Sequence, residues 1–352
     1  MNDALPRRIL IVRLGAIGDV VNALVLANAI KHADASVHIG WAVHPLSLPL
    51  VQNHPSVDRM HVWTRGGGLG EWRRLKDEVR EARYDLAIDL QRLAKSALLA
   101  RSSGAPRVLG FDRARTKEAS FLFTREHIEA GDRGEHMVEQ YLEFARHLGI
   151  ADARAELSLP HDSTSESWAD DFVREHGRPV LLNLGASKPR KLWSAERFGE
   201  LAREVEREFS VPIVFTGSAG DAVLAARAKD RARFVDENCG EKWVDLTGKT
   251  TLLQLAELQR RSLAVVTCDT GPMHIAVAVR ARVVALFGPG EPRRTGPYGQ
   301  LENVVRRTAD GSPARLDRDR DLRTDDIEVE HVIEKLRPAL RAVNRRHTQP
   351  GS

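Results

Sequence analysis

Cys268-Asp269-Thr270-Gly271-Pro272-Met273-His274, with Leu286-Phe287-Gly288-Pro289 shortly after it, organises the reading of this chain. The apolar run Leu263 to Val266 precedes it and has the length of a buried strand. Asp269-Thr270-Gly271-Pro272 stops that run, and Ala276 to Val279 resumes it as a small-residue helix. A strand that turns through Thr-Gly-Pro into a helix presents backbone N–H groups to solvent, which is a seat for a phosphate or diphosphate.

The same alternation extends in both directions. Ile9 to Val12, Val37 to Val43, Leu86 to Leu90 and Arg107 to Gly110 read as strands, with helices predicted over Val20 to Lys31 and Trp72 to Ala82. Ala153 to Arg178 is polar around Pro160-His161-Asp162-Ser163-Thr164-Ser165 and is the candidate linker. The pattern then restarts: strands at Pro179 to Asn183, Pro212 to Thr216 and Val283 to Phe287, and helices at Ala195 to Phe209, Asp221 to Lys229, Leu252 to Arg261 and Pro272 to Val279. Glu328 to Val343 reads as a closing helix, and Arg345 to Ser352 as a disordered tail. Repeated β–α–β units predict parallel sheets covered by helices. Two sets in tandem predict an α/β protein of two Rossmann-like domains with a cleft between them, over 1–165 and 176–327, with helix 328–343 packing back on the first. Ligands of such sheets bind at the carboxyl ends of the strands, so the loops after each strand are the ones to search.

The 352 residues suit two domains. With 53 Lys+Arg against 49 Asp+Glu the net charge is only +4, spread along the chain, which gives no argument for nucleic acid. Cys239 and Cys268 stand apart, in neither a disulfide framework nor a zinc spacing, as expected of a reducing compartment. Met1 to Arg8 lacks the apolar stretch of a secretory signal, and Val20 to Ile30, broken by Asn22 and Asn28, is too short for a membrane span. The expectation is a cytoplasmic protein.

Four loops carry the chemistry. Val12-Arg13-Leu14-Gly15-Ala16-Ile17-Gly18-Asp19-Val20 joins the first strand to the first helix, but its spacing is not the Gly-x-Gly-x-x-Gly of dinucleotide binding. Asp19 is either a helix N-cap or a carboxylate able to take a proton from a substrate hydroxyl. Gly185-Ala186-Ser187-Lys188-Pro189-Arg190-Lys191-Leu192-Trp193 is either a solvated basic loop or a place where Lys191 neutralises a diphosphate, with Trp193 as a packing anchor. In Thr216-Gly217-Ser218-Ala219-Gly220-Asp221, Asp221 is either a cap or an acceptor for a ribose or adenine amino group. In the opening stretch, His274 is either a packed residue or a hydrogen-bond donor to phosphate, and Asp269 either caps the turn or binds a sugar hydroxyl. Asp317-Arg318-Asp319-Arg320-Asp321 has metal-like Asp-x-Asp spacing but no strand before it, and reads as a solvated charge run. Arg65-Gly66-Gly67-Gly68-Leu69-Gly70 reads as a flexible loop.

In this order the loops resemble glycosyltransferase family 9, the ADP-heptose:lipopolysaccharide heptosyltransferases, from Ile9 to about Tyr298. Arg13 to Asp19 is similar to the family's opening motif, Asp89-Leu90-Gln91 with Lys95-Ser96 to its acceptor segment, and Gly110-Phe111-Asp112 to its next turn. Lys191-Leu192-Trp193 matches the basic donor loop, while Asp269 to His274 and Phe287-Gly288-Pro289 match the most specific signature. The resemblance implies a GT-B fold and an inverting, metal-independent transfer of heptose from ADP-heptose to the lipopolysaccharide inner core, with no cofactor. It implies Asp19 as general base, and a donor site of Lys191, Asp221, Asp269, Thr270, Gly271, Pro272, Met273 and His274. Its acceptor side would hold Arg13, Gly15, Gly18, Gln91, Lys95 and Ser96. The implied partners are a nucleotide-sugar and an anionic glycolipid, with peripheral contact at the inner membrane, no nucleic acid and a monomeric state. His44 stands where the family often has an acidic residue, and Asn22 where it has an apolar residue or His; both departures fall on the acceptor side. Other readings are a family member with a different donor or acceptor, a sugar-nucleotide-binding protein without catalysis, and a nicotinamide-dependent oxidoreductase. The absent dinucleotide fingerprint argues against the last.

Overall fold

A computed structural model describes residues 5–64, 66–317 and 319–347, with 342–347 as backbone only. The predicted positions Arg65, Arg318 and 348–352 lie outside the described residues. The chain divides into two units, one ending at His161 and the other beginning at Asp162.

The first unit is built from β1 (Arg8–Val12), α1 (Ile17–Ala33), β2 (His38–Val43), β3 (Arg59–Val62), α2 (Gly68–Glu81), β4 (Leu86–Asp89), α3 (Ala94–Ser102), β5 (Arg107–Gly110), β6 (Glu126–His127) and α4 (Met137–His147). Its strands form one parallel sheet in the order β3-β2-β1-β4-β5-β6. Ile9 to Val12 are wholly buried, as a parallel strand covered on both faces requires. α1 is apolar nearly all round and buried from Val20 to Ile30, in contact with α4. The two asparagines that interrupt it are buried as well. Asn28 donates to the Glu156 carbonyl at 2.8 Å and to Ser158 Oγ at 3.0 Å, and accepts from Ser56 Oγ at 2.6 Å. It therefore anchors the segment that leaves this unit.

The second unit comprises α5 (Ser163–His176), β7 (Val180–Asn183), α6 (Ala195–Phe209), β8 (Ile213–Thr216), α7 (Ala222–Val235), β9 (Val244–Asp245), α8 (Leu252–Arg261), β10 (Ala264–Cys268), α9 (Gly271–Ala278), β11 (Val283–Leu286), the single turn α10 (Pro292–Thr295), β12 (Val304–Val305) and α11 (Val329–His347). Its parallel sheet has the order β12-β11-β10-β7-β8-β9. Phe198, Leu201, Ala202, Val205 and Phe209 follow the helical period and turn α6 into this core. Gly199 lets α7 close on α6, since a Cβ there would stand 2.1 Å from the Ala228 carbonyl oxygen.

Three expectations need correction. The polar stretch taken as a linker contains α5: Asp162 accepts from the Ser165 N–H at 3.1 Å as its N-cap, and Ala169 and Phe172 are buried. The Asp-Ser-Thr-Ser cluster is polar because those residues cap helices, and the division falls at 161/162 rather than within 165–176. The closing helix is part of the second unit: Val332, Ile333, Leu336 and Leu340 of α11 join its core and α11 meets α6. It also continues through His347, so 345–347 are helical.

His54 reports on the first unit's integrity. It is 2% exposed, its Nδ1 accepts from the Ser56 N–H at 3.1 Å, and its Nε2 lies 3.2 Å from Ser158 Oγ. Burial pushes its pKa down to about 4. Between that value and the ordinary ~6.5 the unfolded chain binds a proton that the folded one refuses, so this stability is complete above ~6.5 and is lost as pH falls, by about 3 kcal/mol in all. Guanidinium denaturation of His54→Gln across this window should give a stability–pH slope shallower by up to one proton; an unchanged slope would show that His54 is not the source.

Candidate active site

In each sheet the chain builds outward on one side of a central strand and then restarts on the other. The reversal falls between β1 and β4 in the first unit and between β7 and β10 in the second. The helices leaving such a pair diverge, which opens a crevice at the carboxyl ends of the strands. Three of the four predicted loops lie at these two places, and the fourth, which carries Asp221, follows β8 next to β7.

At the first reversal Val12 is in register with Asp89, which sets the β1–α1 turn beside the segment after β4. Gln91 Oε1 accepts from the Leu14 N–H at 2.9 Å and the Gly15 N–H at 3.4 Å, and Trp41 Nε1 donates to the Arg13 carbonyl at 3.1 Å. Arg13 is 4% exposed, donates from Nη1 to the Leu90 carbonyl at 3.3 Å, and makes an ion pair through Nη2 with Asp19. Asp19 is not the N-cap of α1; that position is Ala16, without a side-chain cap, and Asp19 sits in the first turn with its side chain 38% exposed. Gly18 is buried beneath it, while nothing lies within 4 Å of a Cβ built on Gly15.

Asp89 is the group sequence reasoning left without a role. It is 2% exposed and accepts from the Gln91 N–H at 3.1 Å; burial pushes its pKa up to about 6, against the opposing pull of Ser96, the Gln91 N–H and Arg13. Ser96 is buried at the start of α3, where its Oγ donates to the Leu93 carbonyl at 2.8 Å. Lys95 points elsewhere, its Nζ lying 5.3 Å from the Trp63 ring centre. His44 caps a 3-10 turn by accepting from the Leu46 N–H at 3.3 Å, and Asn22 is buried in α1.

At the second reversal Lys191 ends a 3-10 turn, Pro189–Lys191, and its Nζ pairs with Asp269 Oδ2. Lys188 and Arg190 of the same loop are exposed. Trp193 is the expected anchor: it is fully buried, donates from Nε1 to the Ile327 carbonyl at 2.8 Å and packs edge-on against Phe198. Thr270 precedes α9 but does not cap it with its side chain; its Oγ1 donates to the Cys268 carbonyl at 3.3 Å. Pro272 removes one donor from the first turn, and the Met273 N–H returns to the Thr270 carbonyl at 3.2 Å. Met273 is fully buried and His274 nearly so, which limits the Met273 side chain to packing. Asp221 Oδ2 accepts from both the N–H and Oγ of Ser218 at 2.7 Å, so it closes its own loop. That carboxylate also lies against the neighbouring loop, 2.5 Å from where a Gly185 Cβ would stand. The loop after β11 is equally tight, with a Cβ on Gly290 falling 2.9 Å from Asp269 Oδ2 and one on Gly288 falling 2.4 Å from the Thr324 nitrogen. Among the described residues no three of His, Cys, Asp and Glu are grouped to hold a metal ion.

A sequence model of glycosyltransferase family 9 (heptosyltransferase) matches residues 72–322. Lipopolysaccharide heptosyltransferase 1 of Pseudomonas aeruginosa is 30% identical over 84% of this chain and 82% of its own length. The lipopolysaccharide core heptosyltransferase OpsX of Haemophilus influenzae is 26% identical over 85% and 84%. The structure of E. coli ADP-heptose lps heptosyltransferase II superposes with a TM-score of 0.77 at 24% identity, covering 96% of this chain and 99% of that one, and shows the same fold. The chain is thus a glycosyltransferase built of the two Rossmann-like units of the GT-B class. It belongs to glycosyltransferase family 9, the heptosyltransferases.

Two glycines at the two loops should respond oppositely to a methyl group. Gly288→Ala forces the backbone at Thr324 to move and should cost about 1–3 kcal/mol in thermal or chemical denaturation. Gly15→Ala meets no atom within 4 Å and should stay within about 1 kcal/mol of the parent. Equal losses at both sites would contradict this geometry.

Proposed function

We propose that this enzyme transfers heptose from ADP-heptose to the inner core of lipopolysaccharide, by an inverting displacement that needs no metal. The observation that carries the proposal is the pairing of chemistries at the two strand reversals. One holds a half-exposed carboxylate, Asp19, against a buried arginine; the other holds Lys191 beside the start of α9. The relatives named for ADP-heptose and for the lipopolysaccharide core supply the substrate class.

Asp19 accepts the proton of the acceptor hydroxyl as that oxygen attacks the anomeric carbon and the bond to the diphosphate breaks on the opposite face. The departing ADP carries the electron pair away. Lys191 and the positive end of α9 stabilise the charge that develops on it. Without donor, Asp269 neutralises Lys191; an entering diphosphate takes Asp269's place on Lys191 and leaves its carboxylate to a sugar hydroxyl. Asp221, beside Gly185, faces the nucleoside.

Asp19→Asn should lower kcat by about 10²–10⁴-fold and leave ADP affinity unchanged. Lys191→Ala should weaken ADP binding by about 10–100-fold, the worth of a charge-assisted contact. Calorimetric titration with ADP, UDP and NADH, with and without EDTA, tests the donor class: binding of ADP that ignores EDTA is expected, and a strict metal requirement or NADH binding alone would defeat the proposal.

We also propose peripheral contact with an anionic bilayer through the first unit. No helix among the described residues is long and apolar enough to cross a membrane. Leu98 of α3 and Leu122 of the turn packed on it are 39% and 69% exposed; Lys95 and Arg101 of α3 are exposed too, as are Arg113 and Glu118 ahead of that turn. Exposed apolar side chains on elements that also carry exposed cations suit an anionic lipid surface. Co-sedimentation with phosphatidylserine vesicles at low salt, lost in Leu98→Asp/Leu122→Asp and with phosphatidylcholine alone, is the expected result; no sedimentation at all would refute the contact.

A further inference from the structure

We propose that Arg13 is a positioning residue for Asp19, held for that task between two carboxylates, Asp19 at the surface of the turn and Asp89 inside the sheet. The inference rests on the reading of Asp19 as general base.

The turn that carries Asp19 is fixed independently from both neighbouring strands. Trp41 on β2 holds the Arg13 carbonyl, and Gln91 beyond β4 gathers the N–H groups of Leu14 and Gly15. The backbone cannot supply the remaining degree of freedom, which is the direction of the Asp19 carboxylate at the solvent end of α1. The Arg13 guanidinium supplies it through the Nη2 ion pair, while Nη1 is tied to the Leu90 carbonyl. Arg13 is itself immobile, being 4% exposed, and its Nε has no hydrogen-bond partner in the structure. A cation this deeply buried is costly unless anions face it. Asp89, 2% exposed on the strand paired with β1, is the second, acting on Arg13 through space without a direct hydrogen bond.

The titratable groups facing Arg13 are Tyr141 from α4, Asp19 from α1 and Asp89 from β4. Burial works to lower the Arg13 pKa, these three groups raise it, and the net direction is up. The guanidinium therefore stays charged at every pH where the enzyme would work. Removing the cation should therefore lower kcat through lost orientation of the Asp19 carboxylate, with ADP affinity and thermal stability little changed. A residue that merely held the fold would lower stability and ADP affinity together with activity, and lysine in its place would not restore the rate selectively.

The experiment compares wild type, Arg13→Lys, Arg13→Gln and Asp19→Asn in steady-state transfer from pH 5 to 9, with ADP affinity measured alongside. Arg13→Gln is expected to lower kcat about 10–100-fold at neutral pH, and to leave KM and ADP affinity within about twofold. Arg13→Lys should recover most of the rate. Adding Arg13→Gln to Asp19→Asn should cost nothing further, because the two act as one unit. If Arg13→Gln fails to fold because Asp89 is left unpaired, Arg13→Gln/Asp89→Asn removes both buried charges and takes its place. A folded variant with the wild-type rate overturns the inference, as does a loss of rate that Arg13→Lys does not recover or that comes with an equal loss of ADP affinity. Asp19→Asn separates the two claims: wild-type transfer there defeats the base itself, whereas a silenced Asp19→Asn beside an unaltered Arg13→Gln defeats only the positioning role.

Discussion

Strand order constrains everything else in this molecule. A parallel sheet needs a crossover between neighbouring strands, and each sheet here reverses its direction of growth once, at β1/β4 and at β7/β10. Crossovers of fixed hand put the helices of the two halves on opposite faces, so the loops at the reversal are not covered by either. Arg13, Asp19 and Gln91 meet in one of these places, and Lys191, Asp269 and Thr270 in the other. Neither site requires a special segment; each is the opening that the topology leaves.

Both openings store charge as ion pairs. Lys191 is held by Asp269 and Arg13 by Asp19, each pair partly shielded from water. A charge kept paired in a sheltered place is desolvated before substrate arrives, so its attraction for an anion or a proton is less diluted by solvent. The pairs differ in burial. Lys191 is 22% exposed, which under the proposed function lets a phosphate replace its partner, whereas Arg13 is enclosed at 4%. One pair suits binding and release, the other suits orientation.

Legibility in the sequence followed the physics of each element. Ile9 to Val12, Leu86 to Asp89, Val180 to Asn183 and Val283 to Leu286 were readable because parallel strands are apolar on both faces. β6, β9 and β12 were not, since each is two residues long and exists only by pairing at a sheet edge. α5 was hidden by its own capping cluster, Asp162-Ser163-Thr164-Ser165, whose polarity is the same whether a chain starts a helix or leaves a domain. α11 was legible as a helix but not its partner, because an apolar stripe does not name the surface that covers it.

The candidate site divides in the same way. The sequence by itself determined which loops could carry chemistry: Gly-x-x-Gly-Asp after one strand, a basic Pro-containing loop after another, and Thr-Gly-Pro before a short helix. These are local, set by turn sterics and unpaired N–H groups, and need no distant residue. Only the tertiary structure decided what each charge faces. It removed Asp19 from the N-cap and gave it to Arg13, gave Lys191 to Asp269 and Asp221 to Ser218, confined the Met273 side chain to packing, and drew the buried Asp89 into the first site. Burial and pairing depend on which strands lie side by side, and strand order is a property of the whole sheet that no single segment encodes.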